Sequence, residues 1–155
     1  MEPSHSRSAL AFAGFAVATS AAAVAGASVS RPGRWYRRLE KSPLNPPPAV
    51  FGPVWTVLYG LIATSGWRVW RAGSRKALGW WAAQLALNAA WSPIFFGLKR
   101  PRAALADLAL LLPAIAIYAR HARQVDRPAA WMVAPYLGWV GFASVLNAEI
   151  VRRNR

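Results

Sequence analysis

The sequence predicts an all-α integral membrane protein, a single domain built as a five-transmembrane-helix bundle. Composition is the first reason: of 155 residues, 55% are hydrophobic, nine are tryptophan and only 15% are charged, an unusual balance for a soluble domain of this length. Segregation of the charges is the second. Residues 8–30, 51–67, 77–98, 108–119 and 128–148 carry none. A helix needs roughly 17 to 25 apolar residues to cross about 30 Å of hydrocarbon. Four of the segments approach or reach that length as they stand, and the fourth in order reaches it only by starting near Arg102 and admitting Asp107.

The first helix is expected over 8–30. A cleaved signal peptide competes for the same stretch, with Arg7 as its basic flank and Ala25, Gly26 and Ala27 as a small-residue cleavage site. The uncharged run is longer than the usual 7 to 15 residue core of a signal peptide, so a retained helix is the reading adopted. Gly14, Ala18, Ala22 and Gly26 recur every fourth residue, a small-residue stripe suited to close helix packing.

Residues 31–52 form a connector with Arg31, Arg34, Arg37, Arg38 and Lys41, then Pro43, Pro46, Pro47 and Pro48. Proline donates no backbone hydrogen bond and restrains the residue before it, so an extended, stiff lid is expected here. Pro53 is placed to head the second helix, 53–70. The short RAGSRK turn makes that helix and the third, 78–98, antiparallel neighbours. The fourth covers 102–121 with Pro113 inside, and the fifth covers 129–151 with Pro135 near its start.

The net charge of +14 raises the possibility of nucleic-acid binding. The basic residues lie between the apolar segments, however, where they meet lipid headgroups, so the partner they indicate is the membrane and not nucleic acid. With five spans, one face carries Arg31 to Lys41, Lys99, Arg100, Arg102 and the C-terminal arginines, eleven basic residues against eight opposite. The positive-inside rule then places the connector and the C-terminus in the cytoplasm. There is no cysteine, which excludes disulfides and thiolate chemistry, and His5 and His121 are too far apart in sequence for a metal motif. No catalytic or metal-binding constellation is expected.

Polar side chains are costly inside a bundle, which singles out a few positions. Gln84, Asn88, Trp91 and Ser92 share one face of the third helix, and Trp139, Ala143 and Asn147 share one face of the fifth. Trp55 and Tyr59 are four apart on the second. Two readings of these residues stand side by side. Amides glue membrane helices together and tryptophans form interfacial belts; alternatively, flat aromatic walls with a few amides suit a bulky, planar, mostly apolar ligand. Trp35, Trp67, Trp70, Trp80, Trp81 and Trp131, near predicted helix ends, are read as belt residues, and Glu149 as the ion-pair partner of Arg152 and Arg153. Asp107 has no evident partner in the sequence.

Three runs, WYRRLEKSPLNPPPAVFGPVWTVLYG, WAAQLALNAAWSPIFFGLKR and PYLGWVGFASVLNAEIVR, resemble the translocator protein family, also called tryptophan-rich sensory proteins. The resemblance covers all but the N-terminal tail. It implies a five-helix bundle, often a homodimer, that binds porphyrins such as protoporphyrin IX or haem as ligands and needs no obligatory cofactor. It places Trp55, Asn88, Trp91, Trp139, Ala143 and Asn147 in a pocket beneath the first connector. Pro43, Leu44 and Ala49 stand where family members often have tryptophan, and Glu149 stands where animal members have the tyrosine of a sterol motif. Sterol binding is therefore not expected, and a bacterial member is. The function this implies is a non-catalytic tetrapyrrole receptor or carrier in a bacterial inner membrane. The alternatives are light-dependent porphyrin degradation and a purely structural or assembly role.

Overall fold

The computed structural model describes residues 5–30 and 33–155. Arg31 and Pro32, at the start of the predicted lid, lie outside them. The described chain is helical: α1 (His5–Val29), α2 (Arg34–Arg38), α3 (Pro48–Arg71), α4 (Arg75–Ser92) continued by a π-helical turn (Pro93–Gly97), α5 (Pro101–Val125), α6 (Arg127–Met132) and α7 (Ala134–Arg153). Among the described residues, His5–Val29, Pro48–Arg71, Pro101–Val125 and the α6–α7 stretch Arg127–Arg153 are long and apolar enough to cross a membrane. α4 is not in that group. Its 18 residues include Gln84, Asn88 and the tryptophans 80, 81 and 91, so composition alone supports four crossings and not the expected five.

Prolines account for the shifted boundaries. α3 begins at Pro48, five residues ahead of Pro53, because in a run of three prolines each of the first two is driven extended by its successor; Pro47 sits at φ −56°, ψ 144°. Only the last is free to turn helical, and as the first helical residue it loses no hydrogen bond. Pro53 is then internal, and the clash it imposes on its predecessor is relieved because that residue, Gly52, has no Cβ. The connector is thus not extended throughout: α2 interrupts it, and residues 48–52 belong to α3.

In the predicted third helix, Pro93 has no N–H to give to the preceding turn, and the ladder widens there: the Leu98 N–H reaches the Pro93 carbonyl at 2.8 Å, a π-type bond. The predicted fifth helix is two. It breaks at Val133 (φ −96°, ψ 1°), just ahead of the Ala134–Pro135 pair that starts α7. α5 by contrast runs on through Pro113 to Val125.

The helices pack in a ring: α1 lies against α3 and α4, α3 against α6, and α5 against α4, α6 and α7. α3 and α4 are neighbours, joined by a turn in which Gly73 adopts φ +74°, a left-handed conformation that favours glycine. The main core comprises Leu58, Ile62, Val69, Leu111, Ile115, Tyr118, Tyr136 and Val140 with their neighbours. Trp81 belongs to it, contrary to its assignment to the interfacial belt. It is 7% exposed, its Nε1 donates to the Ile62 carbonyl at 2.9 Å, and its ring stands edge-on to Phe15. The chain reversal after Arg71 sets Trp81 against α3, where its N–H finds a partner away from the headgroups. Trp131, at 73% exposure, does point outward. The predicted Glu149 pairing is present, with Arg152 and Arg153 both at 2.8 Å.

Candidate functional site

The bundle interior between α3, α4 and α7 holds one group of aromatic and amide side chains. Tyr59 of α3 donates its hydroxyl to Asn88 Oδ1 of α4 at 2.7 Å. One turn back on α3, the Trp55 ring lies 5.3 Å from Tyr59 and meets Tyr136 of α7 edge-on at 6.3 Å. The helical spacing of four residues puts Trp55 and Tyr59 on one stripe of α3. The Tyr136 hydroxyl is fully buried and faces the Asn88 amide without closing a well-shaped hydrogen bond. Gln84 Oε1 and Asp107 Oδ2 are likewise buried without a partner. Since buried polar atoms are normally satisfied, these three mark where the interior retains unused hydrogen-bonding capacity.

Nearer the α2 end, Trp91 stacks on Phe95 at 5.0 Å and donates Nε1 to Asn147 Oδ1 at 3.3 Å. Asn147, 2% exposed, donates in turn to the Pro101 carbonyl at 2.8 Å, so one amide ties α4, α5 and α7 together. Ala143 lies one turn away on α7 and is half-buried. The connector closes over this end. Trp35 and Tyr36 both meet Phe95 edge-on, at 5.7 and 6.2 Å, and burial pushes the Tyr36 phenol above its ordinary pKa.

Trp139 is on the outer side. It meets Phe51 edge-on at 5.8 Å and lines an outward-open apolar groove of about 540 Å³ between α3 and α7, with Val54, Val57, Leu58, Pro135 and Phe142. The eight predicted residues thus separate into groups. Trp55, Tyr59 and Asn88 meet, and Trp91 and Asn147 meet. Gln84, fully buried on α4, turns its amide N–H onto the Trp81 carbonyl at 2.9 Å. Ser92, placed on the same face by spacing, instead accepts from the Ser30 hydroxyl at 3.1 Å beside Gly26, so it belongs to the α1 contact. The widened π-helical turn beginning at the next residue is the place where ideal helical phase ceases to hold.

Tyr136, Phe51 and Phe95 were not singled out from the sequence. Tyr136 was legible in principle, since it falls three residues before Trp139 on the same helical stripe. Phe51 and Phe95 carry no such signal, because their partners lie on other elements. No group of His, Cys, Asp or Glu able to hold a metal occurs among the described residues.

These features define a helical integral membrane protein in which Trp55, Trp81 and Trp91 and the amides of Gln84, Asn88 and Asn147 lie within the bundle. The family profile described as the TspO/MBR family matches residues 10–153, and the chain belongs to that family. It is 40% identical over 144 residues to the "Tryptophan-rich sensory protein" of Cereibacter sphaeroides, covering 92% of this chain and 90% of the relative. It is 39% identical over 128 residues to the "Translocator protein" of Ovis aries, covering 79% and 76%. The human "Translocator protein" is 41% identical over 127 residues, covering 78% and 75%.

Proposed function

We propose that the protein is a membrane receptor or carrier for tetrapyrroles, with a sensory or transport role and no obligatory cofactor. The observation that carries this reading is the cluster Trp55, Tyr59, Asn88 and Tyr136: tilted and edge-on rings beside amide and hydroxyl groups, some with unused hydrogen-bonding capacity. A flat, mostly apolar macrocycle gains by ring stacking and desolvation in such surroundings. Its carboxylates would reach the basic groups of the connector, Arg34, Arg37, Arg38 and Lys41, where charge-assisted bonds are strong. Trp91, Trp139, Gln84, Ala143 and Asn147 complete the site in this reading.

The same proposal counts α4 as a fifth crossing. Arg75 to Gly97 spans roughly 35 Å at about 1.5 Å per residue, enough for the hydrocarbon core. Its place against α1, α3 and α5 shelters Gln84 and Asn88 from lipid, which is what a low-hydropathy span requires. The same reading takes the membrane to be a bacterial inner membrane, with the connector and C-terminus on the cytoplasmic side that the excess of basic residues favours, and takes the protein to be a homodimer, as the family resemblance implies.

Titration of the purified protein with protoporphyrin IX, haem and a sterol, read by tryptophan fluorescence and thermal stability, tests this. Protoporphyrin or haem should quench fluorescence and raise the melting temperature, and the sterol should do neither. Trp55→Phe and Trp139→Phe should each weaken tetrapyrrole binding about tenfold, within the reach of one ring contact plus its buried area. Parent-like affinity in both variants would remove the site. A new pigment absorbance appearing only on illumination, and lost in these variants, would favour degradation over binding.

A further inference from the structure

The end of α7 carries an amide whose bonds point back across the chain. Asn154, the residue after α7, accepts the Glu40 N–H on Oδ1 at 3.0 Å and donates from Nδ2 to the Glu40 carbonyl at 3.0 Å. Nδ2 also donates to the Ile150 carbonyl at 2.9 Å. One side chain therefore uses its acceptor and both donors, pairing with the Glu40 main chain in both directions, as a neighbouring strand would, while its second donor shares the Ile150 carbonyl with the Asn154 backbone N–H, which reaches it at 3.1 Å. The two residues are 114 apart in sequence, and Glu40 lies between α2 and α3, where no helix holds it.

What that pair secures is the connector's seat on the bundle. Ile150 and Phe95 share a small core onto which Trp35, Tyr36 and Leu39 pack. Lys41 lies 4.7 Å above the Tyr36 ring and donates to the Leu39 carbonyl at 2.9 Å. Phe95 in turn carries Trp91, which reaches Asn147. The Glu40 pairing is thus the outermost link of a continuous contact path from the connector to the site.

We infer that Asn154 is a positioning residue: a latch that holds the connector closed over the α2 end of the bundle and so sets how fast a ligand passes it. The ligand half of this inference rests on the proposed tetrapyrrole function; the latch itself does not.

The full chain in lipid nanodiscs, with Asn154→Ala and Asn154→Asp, tests both halves. Amide hydrogen exchange reads the latch without any ligand. Exchange at Glu40 should quicken by about fivefold to tenfold in Asn154→Ala, as expected when a local opening loses two solvent-exposed hydrogen bonds. Asn154→Asp, which keeps the acceptor and loses the donor, should fall between it and the parent. The melting temperature should stay near that of the parent, since the pair lies outside the bundle core. In stopped-flow mixing with protoporphyrin IX, association and dissociation rates should both rise severalfold in Asn154→Ala with little change in Kd. Unchanged exchange at Glu40 in both variants would overturn the latch. Faster exchange with parent-like ligand rates would overturn its role at the site. A parent protein that binds no protoporphyrin would defeat the functional reading, with the exchange result still deciding the latch.

Discussion

Tyr59 and Asn88 join α3 to α4 through a hydrogen bond of 2.7 Å inside the bundle, with the Trp55 ring packed against Tyr59. Away from water neither group has solvent to fall back on, so the bond fixes the relative rotation of the two helices as well as adding stability.

Tyr59→Phe should therefore lower stability by about 1 kcal/mol, within the measured range for interhelical bonds in membranes and for leaving a buried acceptor unpaired. Denaturant titration in detergent would measure it. A pair variant, Tyr59→Phe with Asn88→Leu, should cost less than the sum of the two single changes, because it removes both polar partners together.

Ser65 is a second junction. Its hydroxyl donates to the Ala129 carbonyl at 2.7 Å, so in the 2.6 Å contact with Tyr118 the phenol must be the donor. Ser65→Ala strands both the Tyr118 hydroxyl and the Ala129 carbonyl and should cost about 2 kcal/mol. Tyr118→Phe leaves the Ser65 to Ala129 bond in place and should cost less than half as much. Equal losses in thermal melts would contradict this order.

Gly66 permits a close approach. A Cβ there would come within 2.5 Å of Trp81 Nε1 and 2.9 Å of Phe15 Cδ1. Gly66→Ala should destabilise by about 1 to 3 kcal/mol through overpacking, and should disturb the Trp81 bond to Ile62. Gly60, six residues earlier on α3, has nothing within 4 Å of its Cβ position, so Gly60→Ala should be neutral or slightly stabilising. Trp81 fluorescence, isolated in a background with the other tryptophans replaced, would report the first effect and not the second.

Asp126 serves two elements at once. It caps α6 by accepting the Ala129 N–H at 2.8 Å, and it pairs with Arg68 of α3 at 3.0 Å. Asp126→Asn keeps a capping oxygen and loses the ion pair, which is partly exposed; a cost under about 1 kcal/mol is expected. Asp126→Ala loses both and should cost about 1 to 2 kcal/mol. Added salt should narrow the gap between the parent and Asp126→Asn, and should leave the further loss in Asp126→Ala largely intact.

The sequence by itself determined that the chain is helical and membrane-embedded, and roughly where its apolar segments lie. The reason is the solvent: in hydrocarbon a backbone must satisfy its own hydrogen bonds, and an uncharged run of sufficient length leaves the helix as the simplest way to do so. Local features were legible for the same reason of proximity, among them the Glu149 ion pair and the antiparallel turn at Gly73.

Tertiary structure decided which faces meet. Tyr59 finds Asn88, and Trp91 finds Asn147, 29 and 56 residues away. Trp81 turns inward, Trp139 lines an outer groove, and Ser92 goes to α1. Each outcome depends on helix rotation and on where prolines reset the phase, at Pro48, Pro93 and the Val133 break. A shift of one residue turns a helix by about 100°, enough to move a side chain from the core to lipid, and only the packing of all the helices together fixes that angle.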